Sequence, residues 1–183
     1  MTHSSDKTLR DAPGVLARLR RMVRHLWLDE GDAQRLIAPE LRERLQRRVA
    51  ASEARHSGEV RFFIEAALPT SYLWRNAGAR ERAVAMFGKL RVWDTERSNG
   101  VLIYLLLADH AIEIVADRGL NQHVAPEQWR EIVARMSSAF HAHRFEDGLT
   151  QALEEVSALL VEHFPVAAGQ RNENELPDAP VLG

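Results

Sequence analysis

The chain has 183 residues, of which 45% are hydrophobic and 27% charged, and its formal net charge is −2. This length allows one domain with a substantial core and is short for two, and a charge near zero gives no general attraction to nucleic acid. The absence of cysteine excludes disulfides, thiolate metal sites and cysteine nucleophiles.

The N-terminal part predicts a basic amphipathic helix. Residues 1–14 are polar and end in Pro13-Gly14, which indicates a disordered N-terminus. From Val15 to Trp27, apolar residues fall on one helical face and arginines on the rest. We expect the apolar residues Leu19, Val23 and Leu26 to pack on the domain. The alternative is that this helix binds an anionic membrane surface or a partner's groove.

A second helix is predicted over Pro39–Arg55, so that residues 15–52 form N-terminal helices packed on the domain. The alternation of apolar and polar residues over Glu59–Leu68 then predicts a strand with one apolar face. A third helix is predicted between Thr70-Ser71 and Leu90.

The central predicted element is a β-hairpin. The run Val101–Ala108 is apolar throughout, which is typical of a strand covered on both faces. Asp109-His110 separates it from a second strand, Ala111–Ala116, and both turn residues tolerate positive φ.

Two amphipathic helices follow, from Pro126 to Phe140 and from Phe145 to Phe164. Residues 166–183 are predicted to form a flexible tail. The resulting fold class is α/β: a three-layer α/β/α sandwich with a small mixed sheet of three or four strands, preceded by N-terminal helices.

Charged residues from three segments should meet at one edge of this sheet. A strand–helix–strand connection normally joins parallel strands, so the strand at Glu59 and the strand at Val101 should begin at the same edge, where the hairpin's second strand ends. The groups brought there are Glu53, His56, Glu59, Asp94, Thr95, Arg97, Asn99, Asp117 and Arg118.

The residues around the hairpin carry a family resemblance. The chain resembles the TPM domain over roughly Glu53 to Pro165, so that residues 53–165 are the TPM-like domain. The matching residues, in order, are Trp93-Asp94-Thr95, Arg97, Asn99-Gly100-Val101-Leu102-Ile103, Asp117, Gly119, Trp129, Phe140, Gly148 and Phe164-Pro165. The family is typified by a thylakoid-lumen acid phosphatase linked to photosystem II repair, and most bacterial members have no known role.

The resemblance implies a divalent-cation site, since TPM relatives are reported to bind such ions. Surroundings rich in oxygen and free of cysteine favour Ca²⁺ or Mg²⁺. The candidate metal ligands are Asp94, Asp117, Glu53 and His56, and the candidate residues for a phosphate or carboxylate are Arg97, Asn99 and Arg118. The structural alternative is that these groups cap turns and pair with one another.

Three functions compete. The favoured hypothesis is an accessory domain that binds a cation or small anion at this edge and assists membrane-protein assembly or repair. The alternative is a metal-assisted acid phosphatase acting on phosphomonoesters, for which the sequence offers no identifiable catalytic nucleophile. Nucleic-acid binding comes last, because acids interrupt the arginine-rich stretch Arg18–Arg55.

A cytoplasmic location is predicted, because no secretory signal is visible in the first residues and no apolar run approaches the ~20 residues of a membrane span. TPM relatives are often exported or membrane-anchored, so the chain departs from the family in this respect. The helix Val15–Trp27 is the candidate contact with a membrane surface or a membrane-protein assembly.

Overall fold

A four-stranded mixed sheet organises the computed structural model, which describes residues 14–142, 144–166 and 174–183. The strand order is β3-β2-β1-β4; β1 runs parallel to β2 and β4, and β2 runs antiparallel to β3. The strands are β1 Val60–Glu65, β2 Val101–Leu106, β3 Ala111–Ala116 and β4 Val181–Leu182. The predicted α/β fold with a small mixed sheet is confirmed, and the strand that begins at Val101 lies inside the sheet as expected.

The helices lie before, between and after these strands. They are α1 Val15–Trp27, α2 Glu30–Leu36, α3 Pro39–Glu53, α4 Thr70–Trp74, α5 Ala79–Lys89, α6 Arg118–Asn121, α7 Pro126–His141 and α8 Phe145–His163. The third predicted helix is divided into α4 and α5, since Asn76 adopts a φ of 55° that no helix can continue through. Within the described residues, no helix has the length and apolar character needed to cross a membrane.

The two faces of the sheet are buried in different cores. On one face, side chains such as Phe62 and Ile103 pack with residues of α2, α3, α7 and α8. On the other face, Phe63 and Tyr104 pack with residues of α5. All six residues of β2 are buried, which is why the run from Val101 shows no alternation.

The α3 helix belongs to the same core as the sheet. Leu41, Leu45 and Val49 are buried together with Val60 and Ile64. The predicted boundary at residue 53 therefore separates a helix from a strand within one packed unit.

The expectation for the C-terminal residues is wrong over 174–183. Val181 and Leu182 pair with Phe63 and Ile64 as strand β4, and the carbonyl of Gly183 accepts a hydrogen bond from the amide of Ala66 at 2.8 Å. The short Val-Leu pair is held because the outer edge of β1 offers unpaired backbone groups. The predicted disorder of residues 1–14 falls on positions outside the described residues, apart from Gly14, which precedes α1.

The expected packing of α1 is also wrong. Its apolar residues Leu19, Val23 and Leu26 are exposed, whereas His25 on another face is buried. The physical reason is that Arg21 and His25 bind the domain through polar contacts, which turns the apolar face outward.

Candidate functional site

Two turns meet at the edge where β1 and β2 begin and β3 ends. The amide of Gly119 donates to the carbonyl of Ser98 at 2.8 Å, and the amide of Asp117 donates to the carbonyl of Gly100 at 2.9 Å. We call residues 97–100 and 117–119 the edge turns. The sequence predicts the contact between these two turns, because β1 runs parallel to β2 and the hairpin brings the end of β3 beside the start of β2.

Glycine is required at two positions of the edge turns. A Cβ atom on Gly119 would lie 2.5 Å from the carbonyl oxygen of Arg97, and one on Gly100 would lie 1.9 Å from that of Val92. Both distances are impossible for a side-chain carbon. The neighbouring Ser98 has a φ of 51°, a conformation that is unusual for a residue with a Cβ atom. The backbone of this region is therefore closely packed and tightly constrained.

Asn99 places a side-chain oxygen in the interior beside the edge turns. Asn99 is fully buried, and its Nδ2 donates to Ser57 Oγ at 3.3 Å. Ser57 Oγ donates in turn to the carbonyl of Phe164 at 3.5 Å, which leaves Oγ as the acceptor for the Asn99 amide. Asn99 Oδ1 has no hydrogen-bond partner among the described residues. A buried polar atom left without a partner costs about 1–3 kcal/mol, so within the described residues Oδ1 is an acceptor that no protein donor satisfies.

The two surface acids of the predicted metal set have different local roles. The carboxylate of Asp94 is exposed and forms an ion pair with Arg91, three residues earlier. Asp117 precedes α6, and its Oδ1 accepts the amide hydrogen of Arg118 at 2.7 Å. Asp117 therefore lies in the edge turns, whereas Asp94 lies outside them and its side chain pairs with Arg91.

Glu53 and His56, the other two predicted metal ligands, are buried beneath the edge. Glu53 Oε1 accepts the amide hydrogen of Val60 at 2.8 Å. Burial, with a contribution from the charge of Glu59, raises the pKa of Glu53 to about 9. At neutral pH this carboxyl group is protonated, which makes it a weak ligand for a cation.

Both ring nitrogens of His56 are occupied. Nδ1 lies 3.0 Å from the carbonyl of Gly58, which can only accept, so Nδ1 carries the hydrogen. Nε2 therefore accepts from Ser52 Oγ at 2.8 Å. Burial lowers the pKa of His56 to about 4, which keeps the ring neutral. His56 closes the turn after α3 and has no nitrogen left for a metal.

Glu59 anchors the C-terminal segment 174–183. Its carboxylate oxygens accept the amide hydrogens of Glu175 and Leu176 at 3.2 and 3.3 Å. Burial raises the pKa of Glu59 to about 7. Arg61 is buried nearby, and its charge interacts with Glu53, Glu59 and Asp178. This group of charges holds the outer strand in place.

The predicted residues thus divide into a buried set and a surface set. Glu53 and His56 are buried and committed to backbone and hydroxyl partners, whereas Arg97 and Arg118 are exposed on the edge turns. In the part of the chain that the structure describes, no three histidine, aspartate or glutamate side chains form a group suited to a metal ion. Within the edge turns, the side-chain oxygen donors are Ser98, Asn99 and Asp117, beside the backbone carbonyls.

A cavity of about 530 Å³ lies along the edge strand β3. Arg80 donates to the carbonyl of Ile114 at 2.6 Å, and Asn121 donates to that of Ala116 at 2.7 Å. These side chains occupy outward carbonyls of β3, which protects the edge against pairing with another strand.

Comparison with protein families gives a match to the TPM domain over residues 31–159. The chain belongs to the TPM domain family. The family match begins within α2, so this TPM domain includes α3, in agreement with the shared core.

Two solved structures resemble this TPM domain. The BA42 protein from the psychrophilic bacterium Bizionia argentinensis has 25% sequence identity and a TM-score of 0.67, with 78% of this chain and 92% of that chain covered. The N-terminal domain of a protein from P. gingivalis has 19% identity and a TM-score of 0.54, with 68% and 78% covered. The second likeness concerns the fold alone. A comparison with curated proteins gives no match.

Sequence reasoning missed the contribution of the C-terminal segment to the edge of this TPM domain. Glu175 accepts the amide hydrogen of Glu96 at 3.0 Å, so the segment covers the start of the edge turns. The sequence feature that could have indicated this packing is the presence of large apolar residues, Leu176 and Val181-Leu182, in an otherwise polar C-terminal stretch. Ser57 was also missed, because its role depends on the orientation of the Asn99 amide.

Proposed function

We propose that this TPM domain is a non-catalytic accessory domain that binds a divalent cation at the edge turns. The observation that carries the proposal is the fully buried Asn99 Oδ1 without a hydrogen-bond partner among the described residues. A hard cation such as Ca²⁺ or Mg²⁺ is coordinated by carboxylate, amide and backbone carbonyl oxygens, which are the donors present here.

Asn99 Oδ1 and the carboxylate of Asp117 are the side chains that would hold the ion. The two segments are in contact through the Asp117–Gly100 and Gly119–Ser98 hydrogen bonds, so one ion could draw a ligand from each. Bound there, the cation would supply positive charge beside two surface arginines. That arrangement would suit an anionic group of a partner protein, as in a role in membrane-protein assembly or repair.

Thermal unfolding with Ca²⁺ and with Mg²⁺ tests this proposal. A ligand that binds only the folded chain stabilises it by RT ln(1 + [L]/Kd), or about 2.7 kcal/mol at a hundredfold excess over Kd. The melting temperature should therefore rise with low-millimolar metal. Asp117→Asn should reduce the rise, and Asn99→Asp should enlarge it because an added negative charge strengthens cation binding.

Asp147→Asn is the matched control. Asp147 is an exposed carboxylate in the first turn of α8, and that helix begins far from the end that contacts Ser57. Its substitution should leave the metal-dependent rise unchanged. A melting temperature that is the same with and without both metals would end the proposal.

A phosphomonoesterase is the second candidate, and one observation favours it. Arg97 and Arg118 are both exposed on turns that contact each other, so their guanidinium groups are available to bind a phosphate. Hydrolysis of a generic phosphomonoester, lost with EDTA and with Arg118→Gln, would favour an enzyme. Hydrolysis no faster than in buffer alone would exclude the phosphomonoesterase and favour the non-catalytic accessory domain.

A further inference from the structure

The α1 helix is attached to the domain by its polar face. Arg21 donates to Asp109 Oδ2 from Nε at 3.0 Å and from Nη2 at 2.8 Å, and Nη2 also donates to the carbonyl of Ala77 at 2.9 Å. His25, four residues later and on the same side of the helix, lies 3.0 Å from Asp109 Oδ1. The carboxylate of Asp109, in the turn between β2 and β3, therefore forms hydrogen bonds with both side chains.

The hydrogen-bond partners of His25 show which ring nitrogen accepts and which donates. Its Nδ1 accepts the amide hydrogen of Leu68 at 2.9 Å, so the hydrogen is on Nε2 and is donated to Asp109. Burial alone would raise the pKa of Asp109, but the hydrogen bonds from His25 and Arg21 outweigh it and keep this pKa below its ordinary value. The attachment is specific, and it fixes the rotation of α1 about its own axis.

With that rotation, the apolar face of α1 points into solvent. Leu16 is 80% exposed, Leu26 66% and Trp27 84%. Leu19 and Val23 are exposed on the same face, because the spacings of three and four residues place them between the others. A contiguous exposed apolar face bordered by polar residues marks an interaction surface.

The residues outside the described ranges offer little apolar surface to cover this face. Residues 1–13 and 167–173, which the structure does not describe, contain only Met1 and Leu9 as large apolar residues. Too little apolar surface is present there to cover a helix face of six large side chains, namely Val15, Leu16, Leu19, Val23, Leu26 and Trp27.

A second copy is disfavoured by charge. Arg18, Arg20 and Arg24 are exposed beside the apolar face, and α1 contains no aspartate or glutamate. Pairing two copies through this face would bring these arginines together without a neutralising acid. A convex, basic and apolar helix instead complements an anionic lipid surface, where the apolar side chains enter the acyl boundary and the arginines remain at the phosphates.

We propose that α1 binds the protein to the surface of an anionic lipid bilayer, lying in the plane of the interface. Asp109, Leu68 and Ala77 all lie beyond the carboxyl ends of β1 and β2, whereas the edge turns lie at the opposite ends of these strands. Six strand residues span about 20 Å. The attached domain therefore presents the edge turns away from the bilayer. This proposal is independent of whether a cation binds there.

Co-flotation of the full chain with vesicles tests the proposal. We expect binding to vesicles of 70% phosphatidylcholine and 30% phosphatidylglycerol, and little binding to phosphatidylcholine alone. Each arginine near an anionic surface contributes roughly fivefold in affinity, so the double variant Arg20→Gln/Arg24→Gln should bind roughly 25-fold more weakly. Binding should also fall as NaCl is raised, since salt screens the attraction.

Leu19→Glu/Leu26→Glu should abolish vesicle binding and leave the melting temperature unchanged, because both residues are exposed. Val84→Glu is the control, since Val84 is an exposed apolar residue on α5 and should not affect binding. Absence of binding to anionic vesicles would overturn the proposal. So would a concentration-dependent dimer, seen by sedimentation velocity and lost in Leu19→Glu/Leu26→Glu, because the face would then be covered by a second copy.

Discussion

At the scale of single residues, a buried ion pair connects the sheet to α5. Arg82 donates to both carboxylate oxygens of Glu65, with Nε at 3.0 and 2.9 Å, and the hydroxyl of Tyr104 donates to Glu65 Oε2 at 2.7 Å. Glu65 and Tyr104 are almost completely buried. The carboxylate is tolerated in the core because it has a cation and a hydroxyl group as partners.

Removal of the arginine should therefore be costly. Arg82→Ala is expected to lower the free energy of unfolding by about 3–5 kcal/mol, since it leaves a buried carboxylate without its cation. Urea denaturation measures this change. Arg135→Ala, which breaks the more exposed pair with Glu155, should cost less than about 1 kcal/mol. Equal losses for the two variants would contradict this account.

The raised pKa of Glu53 makes stability depend on pH. The ordinary pKa is 4.5 and the folded-state pKa about 9, so the folded chain binds more protons between these values and stability falls as pH rises through them. His56 acts in the opposite sense at lower pH: its folded-state pKa of about 4 lies below the ordinary 6.5, so its contribution is lost as pH falls through that range.

Glu53→Gln isolates the effect of Glu53 above pH 6.5, where the contribution of His56 is fully present and no longer changes with pH. The amide can still accept the hydrogen of Val60 and cannot ionise. The variant should gain stability relative to the original chain by up to about 1.4 kcal/mol for each pH unit towards pH 9. Denaturation curves between pH 6.5 and 9 measure this gain. The exposed Glu43→Gln should show none, and parallel profiles for Glu53→Gln and the original chain would contradict the assignment.

At the scale of elements, the periodicity of α1 predicts its apolar face but not the environment of that face. The spacing of Leu16, Leu19, Val23 and Leu26 correctly predicts a helix with one apolar face. It does not indicate what covers that face, because the contact of Arg21 and His25 with Asp109 joins residues more than eighty positions apart. The β4 strand was missed for a similar reason, since two residues carry no periodicity.

Exposure of the α1 apolar face predicts a contrast between two leucines. Leu19→Ala should change the free energy of unfolding by less than about 0.5 kcal/mol, because Leu19 makes little contact with the core. Leu45→Ala on α3 should cost about 2–5 kcal/mol, because Leu45 is fully buried. Chemical denaturation of both variants measures the contrast. A large loss for Leu19→Ala would show that α1 packs through its apolar face.

The C-terminal segment should contribute to stability in two steps. Deletion of residues 181–183 removes β4 and the Gly183 hydrogen bonds to Ile64 and Ala66. Deletion of residues 174–183 also removes the amide partners of the Glu59 carboxylate. We expect total losses of about 2–4 kcal/mol, larger for the longer deletion. Unchanged melting temperatures for both truncated chains would restore the prediction of a flexible tail.

At the scale of the whole molecule, the sheet separates two surfaces with different chemistry. The edge turns lie where β1 and β2 begin, and the attachment of α1 lies where they end. The sequence predicted the first surface through topology, because the strand order follows from the crossover and the hairpin. It could not predict that Glu53 and His56 would be committed to Val60, Ser52 and Gly58, since burial and hydrogen bonding depend on the complete packing.

Binding of a divalent cation at the edge turns is tested most directly by a Ca²⁺ titration followed by ¹H–¹⁵N spectra of the labelled chain. The account predicts saturable shifts of the amides of residues 95–100 and 117–119, and unchanged amides in α1, which lies at the other end of the sheet. The side-chain amide of Asn99 should shift with them. Absence of shifts at millimolar Ca²⁺, or shifts confined to other surfaces, would contradict the claim.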